Sequence, residues 1–249
     1  MLRIHWLELK CEFLKMFRMP AYVVPTLAFP LLFYVFFGLA FGGKGGPSPM
    51  ATYMIATYGA FGVIGASLFG FGVSVAVERG QGWLQVKRAT PMPLSAWFGA
   101  KIGMALLFSI IIVTGLSFLG IAFGGVHLAP AAWPLLFVTL VAGALPFCAL
   151  GLMIGYLAGP NSAVAIVNII YIPMSFASGL WIPMQFLPKF LQKIAPALPP
   201  YHFAQLALRA IGIGHDAPGG HIVALLSFTV LFLVLAAIGY RRDEGKVYG

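Results

Sequence analysis

Long apolar runs separated by short polar breaks dominate the chain and set its architecture. A helix needs about 20 mainly apolar residues to cross the hydrocarbon core of a bilayer. Six stretches qualify: residues 21–41, 52–77, 102–123, 133–157, 162–181 and 221–240. The first run stops at Gly42-Gly43-Lys44-Gly45-Gly46-Pro47, the second at Glu78-Arg79, the fourth at Ala158-Gly159-Pro160-Asn161 and the last at Arg241-Arg242, while Lys101 precedes the third. The pattern predicts an all-α membrane protein with six spans, a single membrane domain over residues 1–249, and both termini on one side.

Three segments are not spans. In residues 2–18, at about 100° per residue, His5, Glu8, Glu12 and Lys15 form one polar stripe, with Trp6, Leu9, Phe13, Met16 and Phe17 on the far side. That predicts an amphipathic helix lying in the interface. Residues 78–101 form a polar connection. Residues 182–216 are interrupted by Pro183, Pro188, Pro196, Pro199 and Pro200; a proline fits a first helical turn, so Pro188 and Pro200 can each start a short helix. These two helices are expected to dip back into the outer leaflet, where irregular backbone must be covered by protein or water.

Composition agrees with this picture. Of 249 residues, 61% are hydrophobic and 8% charged, too few charges to cover a soluble surface. The 30 glycines and 18 prolines suit packed membrane helices. A net charge of +9 raises nucleic acid as a partner, but the cations lie between apolar runs instead of on one basic face, so none is expected. With the N-terminus inside, Arg3, Lys10, Lys15, Arg18, Arg79, Lys87, Arg88, Lys101, Arg241, Arg242 and Lys246 are cytoplasmic, against Lys44, Lys189, Lys193 and Arg209 outside. The positive-inside rule therefore places a multi-pass chain in the inner (plasma) membrane with cytoplasmic termini. Residues 1–18 hold six charges and no uninterrupted apolar segment, so no cleavable leader is expected.

Charge also narrows the chemistry. The six acids are Glu8, Glu12, Glu78, Asp216, Asp243 and Glu244, none in mid-span, which disfavours ion-coupled transport. Glu78, at the inner end of the second run, reads as an interfacial charge paired with Arg79 or nearby backbone. His215, Asp216 and His221 could hold a metal, but no HExxH or CxxC spacing supports one, and loop polarity is the plainer reading. Ser67, Ser109, Thr114, Ser117, Ser175 and Ser178 in the runs have no His or Lys partner at matching depth, so no catalytic residue is assigned. Gly38-Leu39-Ala40-Phe41-Gly42-Gly43-Lys44-Gly45 nearly spells a phosphate-binding loop, yet ends in Gly where the Mg²⁺-binding hydroxyl belongs and follows an apolar run instead of a strand. The chain is expected to bind no nucleotide and no cofactor itself. Small-residue spacings at Gly99/Gly103, Gly120/Gly124 and Gly151/Gly155/Gly159 predict close helix packing.

The layout resembles the permease subunits of ABC-2 type transporters, whose fold is also called the type V ABC exporter. The most specific match is Glu78-Arg79-Gly80-Gln81-Gly82-Trp83-Leu84-Gln85-Val86-Lys87-Arg88-Ala89-Thr90-Pro91-Met92-Pro93, similar to that family's coupling segment. A second is Ser178-Gly179-Leu180-Trp181-Ile182-Pro183 with Leu187-Pro188, Pro199-Pro200 and Leu208-Arg209. Taken alone, a short helix exposing Trp83 and Leu84 suits a partner's groove, or else anchors Trp83 among lipid headgroups.

The resemblance implies that Glu78, Arg79, Gly80, Gly82, Trp83, Leu84 and Arg88 couple to a separate ATPase subunit that uses ATP and Mg²⁺. The interfacial helix would take part through Trp6, Glu8, Glu12, Phe13 and Lys15. It also implies a second permease subunit, a homodimer favoured over a heterodimer, and a cavity between the first, second and fifth spans. Candidate cavity residues are Phe33, Phe36, Phe37, Asn168, Tyr171, Ser175 and Phe176, with Asn168 singled out as an uncharged polar group in mid-span. The uncharged spans suggest export of a hydrophobic or neutral cargo, a drug-like compound or lipid; a glycan or sodium exporter, an ion-coupled transporter and a membrane anchor stay open.

Overall fold

The computed structural model describes residues 2–39, 49–90, 92–214 and 216–244, and their side chains apart from Leu2, Arg88, Asp243 and Glu244. The break at 42–47 with Lys44, and also His215 and Lys246, lie outside the described residues. Everything regular among the described residues is helical. Five helices are long and apolar enough to cross a membrane: Pro20–Leu39 (α2), Pro49–Gly80 (α3), Leu94–Ala122 (α5), Ala132–Leu157 (α6) and the last helix, Pro218–Glu244 (α10), over its Pro218–Arg242 part. The fifth apolar run forms only Ala163–Ala177 (α7), which is shorter than those five. It stops because Gly179 turns to φ 77°, a left-handed conformation that suits glycine. Short helices complete the chain: Leu2–Phe17 (α1), Trp83–Arg88 (α4), Lys189–Ile194 (α8) and Pro199–Ala210 (α9). Pro188 caps α8 and Pro199, not Pro200, opens α9.

The third run was placed after Lys101, but α5 begins at Leu94, directly after Pro93. No breaker stands between them except Gly99, and the charge that closes the apolar run is itself buried, as described below. The connection from α3 is therefore only a turn, α4 and a second turn.

Helix α3 is the centre of the bundle: 83% of its apolar window is buried, against 17% for α10, whose Val223, Leu226, Val230 and Val234 stay exposed. Glycines permit this depth. A Cβ on Gly62 would come within 2.8 Å of Ile112 in α5 and 2.9 Å of Pro30 in α2, and one on Gly72 within 2.8 Å of the Gly151 backbone in α6. That second contact falls on Leu68–Val73, a π-helical turn in α3. Widening the helix there lets the Gly151-x-x-x-Gly155 face of α6 approach backbone to backbone, so this small-residue pattern serves packing within the chain. Helix α6 itself bends at Gly143, where the Phe203 ring of α9 occupies the space a Cβ would need.

Candidate functional site: an ion-paired cluster beneath an apolar cleft

The polar stripe of α1 does not face away from the bundle. It docks on the α3–α5 connection, residue by residue. Lys101, fully buried, donates to Glu12 Oε1 at 2.6 Å, to Glu78 Oε1 at 3.0 Å and to Ser74 Oγ, using all three ammonium hydrogens. Lys15 pairs with Glu78 and stands 3.8 Å from Glu12. Trp97 Nε1 donates to Glu78 Oε2 at 3.1 Å, Lys87 binds Glu8 at 2.7 Å, and His5 meets Ser95 at 3.4 Å. Three carboxylates face three ammonium groups, so the cluster carries no net charge. A buried ion is costly unless paired and hydrogen-bonded, and here each partner is. Burial works against the Lys15 ammonium, but Glu12 and Glu78 outweigh it and hold its pKa above the ordinary lysine value.

Leu9, Phe13 and Met16 pack beside the stripe, Leu9 against Gly103 and Phe13 on Phe108 at 5.6 Å, while Trp6 and Phe17 remain exposed. Two expectations need correction. Glu78 does not pair with Arg79, because neighbouring positions on a helix point apart. Arg79 instead donates to the carbonyls of Tyr156 and, at 2.6 Å, Ala158, putting a cation on the C-terminal end of α6 where the helix dipole favours it. Nor is Lys101 a boundary charge. A signal for it existed: Ser74 and Glu78, like Trp97 and Lys101, are four apart and so share a helix face.

Gly80 lies against Pro160, and Gly82 takes φ 75° to start α4. Trp83 and Val86 project from α4 with 53% and 55% exposure, whereas Leu84 is half-buried. The Arg88 side chain lies outside the described residues.

Above the cluster a cleft of about 1080 Å³ opens between α2, α3 and α7. Its lower wall includes Glu12, Lys15 and Glu78 with Trp83 and Lys87 of α4, and its upper wall Phe33, Phe61, Tyr171 and Trp181. Of the predicted cavity residues, Phe33, Asn168 and Tyr171 line it. The Asn168 amide donates to Val164 O at 3.0 Å, and Tyr171 OH donates to Phe61 O at 2.7 Å with the two rings stacked at 4.8 Å. Phe37 lines a second cavity of about 450 Å³ beyond the first. Phe36 lines neither and is exposed; Ser175 is fully buried, and Phe176 packs edge-on to Trp181 at 6.3 Å.

Phe33 and Trp181, 5.6 Å apart, border both cavities. In the sequence Trp181 is the end of a span and part of the Ser178–Pro183 segment, not a candidate cavity residue. Its loop is held from α3: Tyr53 OH donates to Gly179 O at 2.8 Å and Tyr58 OH to Trp181 O at 3.5 Å.

Among the described residues, five helices long and apolar enough to cross a membrane, packed on a central glycine-rich one with an apolar cleft alongside, describe a multi-pass membrane protein. Residues 6–211 match the ABC-2 type transporter family, and the chain belongs to that family. It is 28% identical over 235 residues, 94% of this chain and 95% of the other, to "Putative transport permease YvfS" of Bacillus subtilis (strain 168). It is thus a transport permease subunit, of a family that works with an ABC ATPase partner.

Proposed function

We propose that the chain is the permease of an ATP-driven exporter that carries a hydrophobic or neutral molecule, a drug-like compound or lipid, out of the cytoplasm. In this reading α7 with the Gly179–Trp181 turn completes a sixth crossing, α1 and α4 lie at the cytoplasmic face, and α8 and α9 dip into the outer leaflet. The protein sits in the inner (plasma) membrane with both termini cytoplasmic. Two copies form the core, and a separate ATPase beneath them binds ATP and Mg²⁺; this chain holds no nucleotide, no other cofactor and no catalytic group.

The observation that carries the reading is the ion-paired cluster below the cleft. Lys101, Glu78 and Glu12 tie α5, α3 and α1 together, and Lys87–Glu8 ties α4 to α1. A push on the exposed Trp83 and Val86 of α4 therefore reaches helices that wall the cleft. The cargo class follows from the lining, which above the cluster is mainly apolar and aromatic, with Thr26 and Asn168 among its few polar side chains; such surfaces bind by excluded area with few orienting polar groups.

The test is co-expression with the cognate ABC ATPase and reconstitution of the complex. ATP hydrolysis should rise in response to apolar test compounds and drive their export. Trp83→Ala should insert and assemble yet lose most of the stimulated hydrolysis or its link to export. A Trp83→Ala complex that exports normally would remove α4 from the coupling role.

A further inference from the structure

At the end of the bundle remote from the charged cluster, His202 of α9 meets His221 at the head of α10. Their Nδ1 atoms are 2.9 Å apart and the ring centroids 5.2 Å, so the two nitrogens face each other nearly along the line between the rings. The other nitrogen of His202 fixes the hydrogens. His202 Nε2 lies 2.9 Å from the Pro196 carbonyl, which only accepts, so that nitrogen carries a hydrogen. His221 Nε2 stands 3.6 Å from the Asp216 carboxylate, beyond hydrogen-bond distance, so that contact does not fix its hydrogen. A neutral imidazole has one N–H. With that of His202 on Nε2, its Nδ1 is a bare acceptor, and a hydrogen on His221 Nδ1 donates to it at 2.9 Å. A metal does not fit between the two nitrogens, because bonds of about 2.0–2.1 Å from each need a wider gap along this line.

We propose that the hydrogen bond from His221 Nδ1 to His202 Nδ1 is an acid-released latch between α9 and α10. A proton taken up by His202 puts a hydrogen on the nitrogen that must accept. The bond breaks and α9 is freed from α10. The titratable and charged groups described against the pair are Asp216, whose carboxylate faces His221; Tyr201, with ring centroids 5.5 Å from His202 and 6.1 Å from His221; and Arg209. Arg209 binds the Asp216 main-chain carbonyl at 2.7 Å, which leaves the carboxylate to His221.

Burial lowers the His202 pKa; the Pro196 carbonyl works the other way and the facing His221 adds to the lowering. The sign follows: folding favours neutral His202, so the latch is whole above about pH 6.5, the ordinary histidine value, and is lost as pH falls through the lowered one. That the acid acts from outside rests on the orientation proposed above; the latch itself does not.

The test is hydrogen–deuterium exchange of the full-length protein in liposomes, corrected for the intrinsic rate, over residues 199–225 at pH 7.5 and 5.0. Wild type should open roughly fivefold more often in acid, the change that loss of one hydrogen bond produces. His202→Gln, which can still hydrogen-bond but does not titrate, should show no acid step, and the pH profile of its thermal unfolding should be flat where wild type falls. An acid step kept in His202→Gln, exchange in wild type equal at both pH values, or a step abolished by micromolar Zn²⁺ would overturn the latch. Acidifying one membrane face at a time, with a tag on the N-terminus marking the inner face, separates the two claims. Release from the N-terminal face overturns the orientation and leaves the latch standing.

Discussion

Replacing Lys101 by methionine keeps the length of the side chain and removes three donated hydrogen bonds, leaving Glu12 and Glu78 buried without their central cation. Breaking a buried pair in this way costs about 3–5 kcal/mol. Lys101→Met should therefore lower the unfolding midpoint sharply in detergent, and stability should depend on pH as the two acids take up protons. Lys15→Met is the contrast. Its side chain is 45% exposed, so water replaces much of what is lost and the cost should stay within about 1 kcal/mol. Glu78 was visible in the sequence because an acid ending an apolar run stands out. Lys101 was not, because hydropathy treats a cation as the edge of a span. Its partner Glu12 is 89 positions away, and only the fold brings them together. Asn168 stood out for its polarity, yet it satisfies itself one turn back on Val164; Trp181, apolar and at the end of a run, gave no sign that it walls two cavities.

Helices were legible wherever one periodicity ran unbroken, as in α3 and α10. Their ends were less so. Helix α5 starts a full two turns early because Pro93, not the first charge, sets its boundary. Helix α7 stops short because Gly179 turns the chain, although apolar residues continue to Trp181. The amphipathic character of α1 was plain, but which medium its polar face meets depends on charges contributed by α3, α4 and α5. The bend of α6 was also hidden, since Gly143 looks like any other small residue of a packed membrane helix. It is the position where α9 enters: a Cβ there would stand 1.9 Å from the Phe203 ring. Gly143→Ala should cost about 1–3 kcal/mol in thermal unfolding. Gly99→Ala, in helix α5 with nothing within 4 Å of the added carbon, should be neutral or slightly stabilising.

For the molecule as a whole, the sequence marked the helices but not how they surround a space. That the cleft lies between the first, second and fifth apolar runs was implied only by resemblance, because no periodicity tells which spans are neighbours. The division of that space into two was not foreseen at all. Phe33 and Trp181 bound both cavities, so any turn of these rings that enlarges one takes room from the other. Trp181→Ala should merge them. In the reconstituted complex this should raise hydrolysis in the absence of cargo and allow passive leakage of a small apolar dye, whereas a normal, tight complex would show that the partition lies elsewhere.

The docking of α1 has a consequence in time. Its partners Glu78, Lys87 and Lys101 are synthesised after it, from the end of the second long helix into the third, so α1 is fastened only once those are made. Until then its charged stripe has nowhere to settle but water or headgroups. Closure of the six-charge cluster thus waits on the second and third long helices: a chain in which either enters the bilayer wrongly should leave α1 loose, with Trp6 and Phe17 at its free edge.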